Sequence, residues 1–200
     1  LWYMKSHKKN INIAYFKSSL IIKHLAKFIL RQNIGDLLRA AREVYHASRS
    51  MSISRFILPK KYVYFPLHLQ PELTTSILGG IYTDQALAIE RLRQLLPTDV
   101  HIVVKENPKQ TSLMRDRFFY ERINSLKNIS WAPLRTCSHS LIEQCLFTAT
   151  ITGTAGWESI LRGKTTVIFG NAWYKHAPGV VQYSPSLTFE QIISKDLPQR

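Results

Sequence analysis

Residues 151–158 read Ile-Thr-Gly-Thr-Ala-Gly-Trp-Glu. Upstream, Thr148–Ile151 has the composition of a short strand buried on both faces; downstream, Thr154–Leu161 has helical periodicity and stops before Gly163. The join is built of small residues. A strand that enters a helix through such a turn lets an anion approach the backbone. It offers that anion the free N–H groups of the first helical turn, and here the hydroxyls of Thr152 and Thr154 as well. Gly153 and Gly156 keep the approach clear, and Glu158 lies one turn into the helix, placed to accept hydrogen bonds from a ribose. The stretch is neither G-x-G-x-x-G nor G-x-x-x-x-G-K-[ST], which disfavours dinucleotide cofactors and the ATP-type phosphate loop. The plainer alternative has Thr154 as an ordinary N-cap and the glycines serving close packing.

Working outward, the same alternation recurs. Short apolar runs at Lys61–Phe65, Val100–Lys105, Ile129–Ala132 and Thr166–Phe169 read as strands. Asp84–Leu96, Thr111–Leu126 and Ser138–Leu146 read as helices between them. Strand and helix in alternation predict an α/β, Rossmann-like parallel sheet with helices on both faces, occupying residues 58–200. Such sheets bind ligands outside the carboxyl ends of their strands.

Two more strand ends then matter. Pro66-Leu67-His68-Leu69-Gln70-Pro71-Glu72-Leu73-Thr74-Thr75 crowds hydrogen-bonding groups onto what reads as a loop, with Gly79 and Gly80 allowing a tight turn before the next helix. A plain polar loop capped by Thr75 or Thr83 is the competing account. Lys105-Glu106-Asn107-Pro108 closes a Val-rich strand; Lys105 is placed to reach a phosphate and Asn107 to read a base or ribose edge, although an ordinary turn explains the pattern as well.

The charge is concentrated elsewhere. Of a formal net +14, residues 1–61 carry thirteen Lys or Arg against two acids, and the remainder fourteen against eleven. Residues 1–57 read as a basic, amphipathic helical segment, with helices over 12–31 and Asp36–Ala47. Its apolar face can pack on a domain or lie on an anionic bilayer; nucleic-acid binding comes last, because no recognition motif accompanies the charge. No apolar run reaches the roughly 18–20 residues of a membrane-spanning helix. Cys137 and Cys145 form no CxxC pair and read as two buried, reduced thiols. No His cluster or DxD-like acidic cluster suggests a metal or a cofactor.

Taken together, "YFPLHLQPELTTSILGG", "VVKENPKQ" and "TITGTAGWESILRGKTTVIFGNAWY" resemble the capsule polysaccharide biosynthesis glycosyltransferases, which include the Kdo transferases of bacterial capsule assembly. The resemblance covers about residues 58–175. It implies one half of a GT-B fold, the donor-binding half, with an acceptor-binding half ahead of Leu1. It further implies a nucleotide-sugar substrate, CMP-linked by analogy, a polysaccharide or glycolipid acceptor, and a cytoplasmic location at the inner membrane.

The resemblance also implies roles. Thr152, Gly153, Thr154 and Gly156 match the phosphate site and Glu158 the ribose contact. Asn107-Pro108 falls where related transferases often carry His-Pro, so Asn107 is a departure. Those relatives carry an acidic pair after the first strand; this sequence has Gln70-Pro71-Glu72 there, leaving Glu72 as the single carboxylate for catalysis and His68 as its neighbour. Lys105 or Lys164 would meet the charge of the leaving phosphate without a metal. Two other readings remain open: a nucleotide-sugar epimerase of similar fold, and a non-catalytic module docked on a membrane assembly complex.

Overall fold

The computed structural model describes residues 56–110 and 115–194. The expected helices over 12–31 and Asp36–Ala47, and with them the basic segment, lie outside the described residues.

Six strands make one parallel sheet: β1 (Tyr62–Pro66), β2 (His101–Lys105), β3 (Ile129–Ala132), β4 (Thr148–Thr150), β5 (Thr166–Ile168) and β6 (Val180–Gln182). Their spatial order is β3-β2-β1-β4-β5-β6. The chain builds outward from β1 to β3, then crosses back to lay β4 against the other side of β1. Tyr62–Pro66 runs in register with His101–Lys105, and Tyr64 pairs with Thr148. The carboxyl ends of β1 and β4 therefore meet at the point where strand order reverses, which is where an open α/β sheet leaves its crevice.

Alternation along the strands supplies the two apolar faces. Val63, Phe65, Ile102 and Val104 form one core, with Ile89 and Leu92 of α2 (Gln85–Leu95), Ile123 of α3 (Arg117–Asn124) and Ile192 of α6 (Phe189–Ile193). Tyr62, Tyr64 and Val103 face the other way onto Leu141 and Ile142 of α4 (Ser138–Gln144). On that same side α5 (Thr154–Leu161) brings Trp157 and Ile160 toward Ile168. The buried tyrosine hydroxyls are not left bare: Tyr62 donates to the Leu141 carbonyl at 2.8 Å, and Tyr64 Oη lies 3.3 Å from Ser138 Oγ.

Several expectations are corrected. The stretch after β1 is not all loop: it folds into α1 (Leu73–Leu78) and a 3-10 turn (Gly80–Thr83). Gly79 and Gly80 do sit at this join, Gly80 at φ +54°, a conformation that favours glycine. The helix expected from Thr111 begins at Arg117, because the Asp116 carboxylate accepts from the Phe119 N–H and caps it. The first four residues of that expectation, 111–114, lie outside the described residues. Neither β6 nor α6 was expected; α6 is opened by a reciprocal Thr188–Gln191 capping box. Cys145 is buried as expected, but Cys137 is exposed, since it is the N-cap of α4 rather than a residue on its packed face. Among the described residues no helix is long and apolar enough to cross a membrane.

Candidate functional site

The carboxyl ends of β1, β2 and β4, with the loop after β5, enclose a cavity of about 370 Å³. Of the residues expected from sequence, His68, Glu72, Asn107, Thr152, Gly153 and Thr154 line it. Lys105, Pro108, Gly156 and Glu158 do not.

The turn from β4 into α5 is the best-defined part. Gly153, not Thr154, is the N-cap, at φ −72° and ψ 151°, so the Thr154 hydroxyl is not spent on capping its own helix. The Gly153 N–H donates to Thr150 Oγ1 at 3.3 Å, and the Gly156 N–H to the Gly153 carbonyl at 3.1 Å. Among the described residues the N–H groups of Thr154 and Ala155 find no partner, as expected for the open end of a helix. Thr152 Oγ1 is buried and also unpartnered. Glycine at 153 is required by a close neighbour: a Cβ there would lie 2.9 Å from His68 Cε1 and from Thr150 Oγ1. Gly156 turns away from the cavity, and a Cβ on it would meet the Tyr174 hydroxyl at 2.3 Å.

His68 is the pin of the site. Its Nε2 accepts the Ile151 N–H at 3.3 Å and lies 2.9 Å from Thr150 Oγ1, while Nδ1 lies 3.2 Å from Thr75 Oγ1. Because a backbone N–H points at Nε2, the proton belongs on Nδ1, donated to Thr75. One neutral imidazole thus ties the end of β1 to α1 and to the β4–α5 turn. Burial, reinforced by the Arg115 charge, holds its pKa down to about 4. The folded chain refuses a proton that the unfolded chain accepts, so this contribution is complete above about pH 6.5 and is lost as pH falls toward 4. Between pH 7.5 and pH 5 the wild type should lose roughly 2 kcal/mol more unfolding free energy than His68→Gln, measured by urea denaturation. Equal losses in the two proteins would refute this role.

A second group fixes the backbone after β1. Glu106 and Arg115 form a buried ion pair, Nη1 at 3.0 and 2.9 Å from the two carboxylate oxygens. Burial pushes the carboxyl upward, and the guanidinium, the Asn107 N–H and the Tyr120 hydroxyl oppose that rise. Arg115 Nη2 donates to the His68 carbonyl at 2.7 Å, and Gln85 brackets the His68 backbone, accepting from its N–H at 2.7 Å and donating to its carbonyl at 3.2 Å. Gln110 clamps Gln70 in the same way. None of Arg115, Gln85 or Gln110 stands out in the sequence as part of a site; each gains its role from partners 9 to 47 residues away.

Glu72 sits on the exposed rim as the N-cap residue of α1, yet its side chain does not cap that helix. Lys105 is buried and donates to Ser138 Oγ at 2.8 Å, and burial lowers its pKa. Glu158 lies 3.3 Å from His139 Nε2. These two expected residues therefore belong to a flank at the start of α4, beside the cavity. Lys164 is a correction: it donates to the Cys145 carbonyl at 3.0 Å in the turn leading into β5, at the other end of the strands, and cannot meet a ligand in the cavity. Among the described residues no group of three or more His, Cys, Asp or Glu is arranged to hold a metal ion.

A family model described as capsule polysaccharide biosynthesis protein matches residues 5–192. No curated protein matches the sequence. Among solved structures, the chain is similar to Thermosulfurimonas dismutans KpsC, beta Kdo 2,7 transferase, at TM-score 0.53 and 15% identity, over 82% of this chain and 52% of that one. It is also similar to the beta Kdo 2,4 transferase of the same KpsC, at TM-score 0.49 and 12% identity, over 84% and 53% of the two chains. UDP-GlcNAc 2-epimerase from Methanocaldococcus jannaschii follows at TM-score 0.49 and 11% identity, over 74% and 40%. The chain thus spans about half the length of the two KpsC structures and less of the epimerase. At such identities the likeness shows the fold.

Proposed function

This chain belongs to the capsule polysaccharide biosynthesis protein family, and on that premise we propose that residues 58–194 hold the nucleotide-sugar donor of a glycosyltransferase. The observation that carries the reading is the open start of α5 at the sheet's reversal point. Two amides without partners, on Thr154 and Ala155, lie on the cavity side, at a turn whose Thr152 also lines the cavity. That combination suits a phosphate, whose charge the helix N-terminus also favours.

In this reading the nucleoside extends along α5 toward Glu158, which lies one turn beyond Thr154 on the same helical face, and toward Lys105 and Asn107. The sugar enters the cavity. An acceptor hydroxyl on the growing polysaccharide or glycolipid gives its proton to the Glu72 carboxylate as its oxygen bonds to the anomeric carbon. The bond from that carbon to the phosphate oxygen breaks, and the nucleotide leaves with the electron pair. Its charge is met by the α5 amides without a metal ion. A CMP-linked donor fits the resemblance to Kdo transferases, and a second, acceptor-binding half would close the cleft. The basic residues 1–57 supply attachment to an anionic membrane surface.

Calorimetric titration of the full chain with CMP, UDP, GDP and their sugar conjugates, in buffer containing EDTA, tests this. One nucleotide class should bind, and Thr154→Val and Glu158→Ala should each weaken it by about 10- to 100-fold, as loss of one hydrogen bond to a charged group implies. Absence of binding by the folded wild type in EDTA and in Mg²⁺ alike would overturn the donor reading; binding only with Mg²⁺ would overturn metal independence.

A further inference from the structure

We infer that Trp173 is the platform on which a pyranose ring of the substrate stacks, making the β5 side of the cavity a glycosyl subsite; this rests on the reading of the cavity as a donor site. Trp173 is 69% exposed, while Ala172 and Tyr174 on either side of it are 2% and 3% exposed. The indole is nevertheless held firmly. The Ala172 N–H bonds to the Gly170 carbonyl and the Asn171 N–H to the Leu78 carbonyl, at 3.1 and 2.8 Å. The Tyr174 hydroxyl donates to the Gly153 carbonyl, fastening this loop to the turn that opens α5. Trp157 supports the Trp173 ring at a centroid distance of 4.9 Å, and Tyr174 meets it edge-on at 5.2 Å.

Single exposed apolar side chains are common on protein surfaces; Trp173 differs in that its ring is braced and faces a cavity. Trp173 lines the cavity, and the groups around that cavity are otherwise mostly polar: His68, Glu72, Asn107, Thr150, Thr152 and Thr154. A pyranose matches this mixture. Its ring face carries C–H bonds that lie against an indole, and its rim carries hydroxyls that need hydrogen-bonding partners. Position separates the sugar from the nucleoside. Glu158 lies toward His139 at the start of α4, which follows β3, whereas Trp173 follows β5. β4 and the α5 turn stand between those sides in the sheet. With the phosphate at the turn, one side takes the ribose and the other the glycosyl unit.

The test compares paired ligands on the full chain by calorimetry: CMP with CMP-N-acetylneuraminic acid, UDP with UDP-GlcNAc, and GDP with GDP-mannose, on wild type, Trp173→Ala and Trp173→Phe. For the pair that the wild type binds, Trp173→Ala should lose about 5- to 10-fold in affinity for the sugar conjugate, the scale of one aromatic contact, and less than about twofold for the free nucleotide. Trp173→Phe should retain most of the difference. Unchanged binding, or equal loss on both ligands, overturns the platform and leaves the donor site standing. Failure of the wild type to bind any of the six overturns the donor reading and the platform together.

Discussion

Arg115→Met should cost about 3–5 kcal/mol of unfolding free energy, enough to remove much of the stability of a typical domain. The substitution keeps an unbranched side chain of similar length but leaves Glu106, 5% exposed, without its countercharge. Among the described residues the carboxylate then retains only the Tyr120 hydroxyl at 3.0 Å and the Asn107 N–H at 2.7 Å as donors. The His68 carbonyl loses its bond to Nη2, and the Phe119 ring loses the guanidinium lying 4.4 Å from its centroid. Most of the cost belongs to the stranded charge, not to the lost pair as such, because desolvation offsets much of the attraction in a buried ion pair. Adding Glu106→Gln to Arg115→Met should therefore restore more than half of the loss. Denaturant melts of the wild type, the single variant and the double variant decide it. A single-variant loss below about 1 kcal/mol, or a double variant less stable than the single, would mean that the pair is not a buried charge network at all.

This network also marks where sequence reading stops. The strands were legible because a parallel sheet covered on both faces needs unbroken apolar runs, and Val103-Val104 or Val167-Ile168 leave little choice. The small-residue turn before α5 was legible for the same kind of reason: local geometry demands local composition. β6 escaped because three residues at the sheet edge, with only Val180 and Val181 apolar, carry too little pattern to separate strand from loop. α1 escaped because Pro71 and the paired threonines that follow read as a loop, while what holds the helix is tertiary, including the contact of Thr75 with His68 Nδ1. At the site, Thr152 to Thr154 announced themselves, but Arg115 did not. It read as one more cation on the helix expected over Thr111–Leu126, and its burial, at 4% exposure, depends on a carboxylate and a carbonyl brought in from two other strand ends. Periodicity reports which face a residue is on, and it carries no information about which distant group will be there. Trp173 and Tyr174, after β5, show the same limit: Tyr174 is buried and Trp173 is exposed, although the sequence offers no reason to tell them apart.

On the proposed transfer reaction, Glu72→Gln should abolish most transfer, roughly 10²- to 10⁴-fold in rate, while nucleotide affinity stays within about twofold of wild type. Two side chains at the end of β1 were candidates for proton transfer, and the geometry divides them. His68 is 8% exposed, its Nε2 lone pair is taken by the Ile151 N–H, and its pKa near 4 keeps it neutral at physiological pH. An imidazole so occupied positions the turn and has no free lone pair for an acceptor hydroxyl. Glu72 is its opposite: it lines the same cavity, sits on the exposed rim where an acceptor would arrive, and leaves its own helix start uncapped. Gln preserves its size and removes only the charge and the capacity to take a proton, so a folding defect is not expected. The measurement is transfer of labelled sugar from the nucleotide donor that the wild type binds to purified capsular oligosaccharide, alongside calorimetry of the same variant. A rate within about threefold of wild type would remove Glu72 from the chemistry. A rate loss matched by an equal loss of nucleotide affinity would make Glu72 a binding residue. A large loss confined to the transfer step leaves this carboxylate as the group that accepts the proton, supplied by the one acidic residue that the loop after β1 retains.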